Sequence, residues 1–178
     1  CGYIHTNSTL NVSDTLFAGS FVEAKATTVN GRGTVLGDVS RGTATLTNVY
    51  VQEGTGLSIK IGSAGSNVDT GITVLEDAKL MGEAAYVNMD VDFCIKDIVE
   101  DATWTAIEGD VPQPTKFADK SKEADVTKAQ GVRKFWYNQK TDGADTYILY
   151  SPADLRGFQE VAKTDNFAAG GVKDTVKL

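Results

Sequence analysis

The feature that most constrains the fold is a series of short β-strand patterns between residues 33 and 91. These runs are rich in Val, Ile, Leu and Thr, and they are separated by Gly, Asn and Asp. Apolar residues recur at every second position, for example at Leu57, Ile59 and Ile61, which is the period of a strand with one buried face. We therefore expect this stretch to form a ladder of strands.

The spacing of the ladder restricts how its strands can pair. The runs begin near Gly33, Gly42, Gly56, Gly71 and Ala85, at intervals of 9, 14, 15 and 14 residues. Stacked coils and consecutive hairpins both give such regular intervals. The Asn-Gly and Asp-Gly pairs of the sequence, which favour two-residue hairpin turns, fall outside the ladder. An all-β chain with a parallel β-helix is therefore predicted, and a two-sheet β-sandwich is the alternative.

Charge and residue counts argue against several classes of function. The chain has 24 acidic and 17 basic residues and a net charge of −7, which disfavours binding to nucleic acid or to an anionic membrane. One His and two Cys are too few for the usual zinc or iron sites, so no metal cofactor is expected. No apolar run is long enough to span a membrane, so no membrane insertion is expected.

The two cysteines have different interpretations. Cys94 lies in the run VDFCIKDI and is predicted to be a small buried apolar residue. Cys1 is either the lipid-bearing first residue of a mature bacterial lipoprotein or merely the point where the sequence begins. The second interpretation is favoured, because a strand pattern follows almost at once. The sequence stops at DTVKL, which resembles an unfinished strand and predicts a longer parent protein.

The sequence divides into three predicted segments. Residues 1–103 hold the strand ladder. Residues 104–131 contain two of the three prolines, a charged cluster and few apolar residues, and they are predicted to be a polar loop or insertion. Residues 132–178 are predicted to hold a β-hairpin, with strands VRKFWYN and TYILY around Asp142-Gly143, and then a helix and a strand.

The predicted helix has clear signals at its beginning. Ser151 is a good N-cap, Pro152 suits the first helical position, and Asp154 places an acid in the first turn, where the helix dipole favours it. The helix is expected to end by residues 164–166, and a strand is expected over residues 172–178.

Adjacent aromatic residues suggest a carbohydrate site. Trp136 and Tyr137 would face opposite sides of the predicted strand, so one of them would be exposed and could stack on a sugar ring. A cap over the end of a core, or packing across strands, is the more common role of such a residue. A wider aromatic platform would comprise Trp104, Trp136, Tyr137, Tyr147 and Tyr150.

Acidic residues offer a second kind of site. Asp90 and Asp92 share one face if the strand continues, which would make a weak calcium ligand pair, but a solvated face is the favoured interpretation. An enzyme that cuts polysaccharides would use Asp90, Asp92 and Asp97, with Lys96 or Arg133 as the cation. No Ser/His/Asp set is apparent in the sequence, and no complete phosphate-binding loop.

The C-terminal segment resembles a module of secreted bacterial surface proteins that carry GLUG-type repeats and right-handed parallel β-helices. The residues that carry this resemblance are Ser151, Leu155, Phe158, Val161, Asn166, Phe167, Val176 and Leu178. It implies a right-handed β-helix and an extracellular or cell-surface location. It also implies a structural or adhesive role, with a glycan or a host surface protein as partner. A β-helix lyase or glycoside hydrolase is the alternative.

Overall fold

The computed structural model describes most of the chain and divides it into two compact units. The units are Cys1–Leu75 and Glu76–Leu178. The described residues are 4–19, 33–39, 41–55, 61–63, 71–95, 101–127, 129, 131–138, 146–164 and 175–178.

The first unit is built from strands that pair in parallel. Its strands are β1 (Thr9–Phe17), β2 (Leu36–Asp38), β3 (Thr43–Gln52), β4 (Ile61–Ser63) and β5 (Ile72–Leu75). One sheet has the order β1-β3-β5 and the other pairs β2 with β4, so consecutive strands alternate between two sheets. The core between them contains Ile4, Val35, Leu36, Val39, Ala44, Leu46, Val49 and Val51.

A stacked pair of left-handed residues bends strands β1 and β3 at the same level. Asp14 has φ 46° and Asn48 has φ 52°, and these are among the few residue types that tolerate this region. The two residues lie level because the pairs before and after them are in register. The side-chain amide of Asn48 donates a hydrogen bond of 3.1 Å to Asp14 Oδ1. The two bends are thereby tied together.

The bend also changes which residues of β3 face the core. Ala44 and Leu46 before it and Val49 and Val51 after it belong to the same core cluster, while Tyr50 is fully buried outside that cluster. A straight strand alternates strictly with a period of two, so it would turn one of these pairs away from this core. The left-handed residue supplies the one-residue shift that lets both arms of the strand bury their apolar side chains.

The second unit combines short helices with two small sheets. Its helices are α1 (Asp77–Leu80), α2 (Glu83–Asn88), α3 (Phe135–Asn138) and α4 (Pro152–Val161), and Lys120–Lys122 form one 3₁₀ turn. Its strands are β6 (Trp104–Ile107), β7 (Asp110–Pro114), β8 (Thr146–Ile148) and β9 (Thr175–Lys177). Strands β6 and β7 form an antiparallel hairpin, and β8 pairs with β9 in parallel. None of the helices in the described ranges has the length and apolarity needed to cross a membrane.

The predicted fold class is wrong. The described chain is mixed α/β, with separate sheets of three, two, two and two strands and four helices, so it is not an all-β protein, a right-handed parallel β-helix or a sandwich. The end of the ladder shows the physical reason. The expected strand from Ala85 is helix α2, where adjacent alanines favour helix and Glu83 lies in the first turn.

The segments after the ladder also differ from their predictions. Residues 104–131, expected to be a polar loop, contain the β6–β7 hairpin with Thr105, Ala106 and Ile107 buried. The expected C-terminal hairpin is absent from the described residues. Residues 132–138, predicted to be its first strand, end in helix α3, and β8 pairs with β9 instead. Asp142-Gly143 lies outside the described residues.

The structure confirms the predicted start of helix α4. Ser151 is the N-cap and its hydroxyl accepts a hydrogen bond of 3.2 Å from the Asp154 amide, with Pro152 in the first turn. Further along, Gly157 lies against the main chain of Arg133, and a Cβ atom added to this glycine would overlap the Arg133 carbonyl oxygen. The glycine therefore permits α4 to pack at this distance.

Substitution of Asn48 tests the bend. We expect Asn48→Ala to lower the free energy of unfolding by about 1–2 kcal/mol, because alanine is strained in the left-handed region and cannot bond to Asp14. Asn48→Gly should cost less, since glycine adopts this conformation freely. Urea denaturation followed by circular dichroism measures both variants. Equal losses would show that backbone strain is not the cause.

Substitution of Gly157 tests the close approach of α4. Gly157→Ala should destabilise the second unit by about 1–3 kcal/mol through overpacking, although alanine favours a helix more than glycine does. Both tryptophans belong to this unit, so their fluorescence during denaturation reports on it. Gln159→Ala, on the exposed side of the same helix, is the matched control. A stabilised Gly157→Ala variant would contradict the packing.

Candidate functional site

The structure places the predicted carbohydrate residues in and around a core. Trp136 is only 6% exposed and clusters with Tyr147, Leu149 and Val161. Its ring meets that of Tyr147 edge to face, with centroids 5.4 Å apart, and half-buried Tyr137 stacks on Tyr147 at 6.0 Å. Aromatic pairs in these arrangements stabilise the fold by more than the burial of their apolar surface alone. These rings therefore pack on one another, and Trp136 offers no open face to a sugar.

The remaining members of the expected aromatic platform lie elsewhere in the second unit. Trp104 is half-buried at the start of β6. Tyr150 is 78% exposed and follows β8. Among the described residues, Tyr150 is thus the single member of the proposed five that is largely open to solvent.

Asp90 and Asp92 have different surroundings. Asp90 lies 3.8 Å from Arg133 Nη2, whereas Asp92 is exposed and lines a neighbouring cleft. Within the described ranges, no three His, Cys, Asp or Glu residues are arranged to hold a metal ion. Asp97 and Lys96 lie outside the described residues. Cys94 is buried, as predicted.

The cleft around Asp92 forms where the chain runs beside the start of β6. The Trp104 amide donates to the Asp92 carbonyl at 3.0 Å, and the Cys94 amide donates to the Trp104 carbonyl at 2.7 Å. These bonds hold residues 92–94 extended, so Asp92 is exposed while Phe93 is buried. The side chains of Val91 and Phe93 supply apolar lining, and the cleft has a volume of about 410 Å³.

Arg133 forms one side of the cleft and is held by several contacts. Its Nη2 donates a hydrogen bond of 2.6 Å to the Met89 carbonyl. The guanidinium carbon lies 5.0 Å from the ring centroids of both Tyr86 and Phe135, which is within cation–π range. The side chain is 15% exposed, and its buried Nε has no hydrogen-bond partner among the described residues. A fixed positive charge thus borders the cleft.

Two carboxylates complete the polar side of the cleft. Asp92 and Asp101 are both exposed and both line it, together with Arg133. The volume is within the range of roughly 300–1,000 Å³ typical of small-ligand sites, which combine an apolar lining with a few placed polar groups. Charged acceptors beside an apolar wall suit a ligand that carries many hydroxyl groups.

Sequence reasoning found only part of this cleft. Asp92 and Arg133 were named as candidates, and the structure brings both to the same cleft. Tyr86 and Phe93 are not among the predicted site residues, because the expected aromatic platform comprises other rings, from Trp104 to Tyr150. Asp101 belongs to the acidic run that was recognised, but nothing in its spacing shows which cleft it lines.

Comparisons with protein-family models, curated proteins and solved structures find no match for this chain. The resemblance to GLUG-repeat surface proteins therefore stays a prediction.

Substitution of Trp136 separates a core role from a ligand-binding role. Trp136→Ala should lower the free energy of unfolding by about 3–5 kcal/mol, because it removes a large ring from a packed cluster. Tyr150→Ala, which truncates an exposed ring, should change it by less than about 0.5 kcal/mol. Guanidinium denaturation followed by circular dichroism measures both. Similar stabilities of the two variants would contradict the core role.

Proposed function

We propose that the protein is an extracellular or cell-surface binding module that recognises a glycan in the cleft bordered by Asp92, Asp101 and Arg133. The observation that carries the proposal is the meeting of an apolar wall, two exposed carboxylates and a fixed guanidinium at one cleft. The proposed location and adhesive role rest on the resemblance of the C-terminal segment to secreted surface proteins.

The chemistry of a sugar fits these groups. Sugar hydroxyls donate hydrogen bonds, and the exposed carboxylates of Asp92 and Asp101 accept them as strong charge-assisted bonds. The less polar face of a pyranose ring can lie against the wall that contains Val91 and Phe93. The Arg133 guanidinium donates to ring or hydroxyl oxygens.

The charges favour a neutral glycan over an acidic one in this cleft. Asp90, Asp92 and Asp101 bring three carboxylates to its surroundings, and Arg133 brings one cation, which lies 3.8 Å from Asp90. The excess negative charge would repel a uronate or a sulfate. A neutral hexose polymer avoids this repulsion.

A second candidate function uses the same carboxylates for catalysis. Glycoside hydrolases need two carboxyl groups that flank one glycosidic bond, and Asp92 and Asp101 line one cleft. The binding module is preferred because the two carboxylates are exposed at the open surface of the cleft. Contacts with the core hold only Arg133 in position. Sugar release is the observation that separates the two functions.

Conservative amide variants test the proposed site. In a neutral glycan array followed by calorimetry on the best glycan, Asp92→Asn and Asp101→Asn should each weaken binding roughly fivefold, because an amide accepts a weaker hydrogen bond than a carboxylate. Asp110→Asn is the matched control, since Asp110 is exposed in the same unit and outside the cleft. The control should bind as the parent does.

Each outcome of this experiment has a meaning. Absence of glycan binding by the folded parent would contradict the proposal, as would equal weakening by Asp110→Asn. Release of reducing sugar that is lost in Asp92→Asn or Asp101→Asn would replace the binding module with the hydrolase.

A further inference from the structure

A loop after strand β7 presents a phenylalanine to solvent. Phe117 is 77% exposed, although burial of such a ring is worth roughly 1.5–3 kcal/mol. The ring lies in a turn in which the Phe117 amide donates to the Pro114 carbonyl at 2.8 Å and the Ala118 amide donates to the Thr115 carbonyl at 3.4 Å. We call residues 115–122 the Phe117 loop.

Hydrogen bonds to the rest of the unit hold the start and the middle of the Phe117 loop. At its start, the Thr115 amide donates to the Thr103 carbonyl at 2.9 Å. Further on, the Asp119 amide donates to Gln113 Oε1 at 3.3 Å. The Asp119 carboxylate accepts bonds of 3.1 and 2.7 Å from the amide and hydroxyl of Ser121, which lower its pKa. The main chain of the loop that carries the exposed ring is therefore held by hydrogen bonds.

The Phe117 loop is basic within an acidic chain. It holds Lys116, Lys120 and Lys122 against the single carboxylate of Asp119, whereas the whole chain has a net charge of −7. Lys116 Nζ lies 5.8 Å from the Phe117 ring centroid, and all three lysines are exposed. Lys120 also lies 4.0 Å from Glu123, an exposed contact that contributes little. An exposed aromatic ring thus lies beside one lysine ammonium, in a loop that holds two further lysines.

We propose that the Phe117 loop is a second binding surface, whose partner is an acidic glycan. The Phe117 ring stacks on the face of one sugar, and the lysines pair with uronate carboxylates on that sugar and its neighbours. This ligand differs from the neutral glycan assigned to the Asp92 cleft, and the loop shares no residue with that cleft. The inference therefore stands without the proposed function.

The surroundings of Phe117 favour a polymer over an anionic bilayer. Its neighbours in the turn are Thr115, Lys116, Ala118 and Asp119, so one ring is the only large apolar group in the loop. One ring matches one stacked sugar, whereas stable membrane anchoring needs more buried apolar surface. The three exposed lysines offer cations to the carboxylates of a polyuronate.

Polygalacturonate and its fully methyl-esterified form are the probes, because they share a backbone and differ in charge. Calorimetry should show binding of the parent protein to polygalacturonate, weak or no binding to the ester, and weaker binding as salt rises. Phe117→Ala should raise Kd roughly tenfold through loss of ring contact. The double variant Lys116→Gln/Lys120→Gln should bind polygalacturonate no more tightly than it binds the methyl ester.

Tyr150→Ala is the matched control, because Tyr150 is as exposed as Phe117 but follows β8, away from the three lysines in sequence. It should bind polygalacturonate as the parent does, and so should Asp92→Asn. The proposal would be overturned if the parent bound polygalacturonate and its methyl ester equally well. It would also be overturned if Tyr150→Ala weakened polygalacturonate binding as much as Phe117→Ala does. Binding to phosphatidylglycerol vesicles but not to polygalacturonate would replace the glycan with a membrane surface. Loss of polygalacturonate binding in Asp92→Asn would show that the acidic glycan binds in the Asp92 cleft and not at the Phe117 loop.

Discussion

The second unit depends on how it accommodates Arg133. A guanidinium in a mostly apolar setting is costly unless its charge and donors find partners. Here the Met89 carbonyl and the rings of Tyr86 and Phe135 surround it, which ties the end of α2 to the start of α3. The main chain of the same residue accepts the Trp136 indole N–H at 2.9 Å and faces Gly157 of α4. One residue thus joins three helices and also supplies the cation of the cleft.

In the first unit, both halves of the long strand β3 pack against one core. Strand β3 reverses its inward face at Asn48, and Asp14 makes the same turn in the neighbouring strand. Because the two residues are hydrogen-bonded, a bend in one strand fixes the position of the bend in the other. The apolar period can be read from the sequence, but the shift in its phase depends on a backbone conformation that the period does not encode.

Local signals predicted the start of α4, but they failed for some local elements, such as α2 and the β6–β7 hairpin, and where distant partners decide the outcome. Ser151 and Pro152 specify the start of α4 because a cap needs only its own turn. The parallel pairing of β8 with β9 has no local signature, and a nearby Asp-Gly pair favoured a hairpin instead. The β6–β7 hairpin was missed because its buried residues include Thr105 and Ala106, which carry little hydrophobic signal. In the cleft, Asp92 and Arg133 were recognised by type, but their common location follows from packing.

The exposure of aromatic residues shows most clearly what residue type cannot reveal. A tryptophan gains more from burial than a phenylalanine does, and Trp136 also finds a carbonyl for its N–H, so the residue that looks best suited to a sugar platform is drawn into the core. Phe117 lies instead in a hydrogen-bonded turn at the surface, and its ring is 77% exposed. The exposure of a ring in the folded chain is therefore a better guide to a binding surface than the identity of the ring.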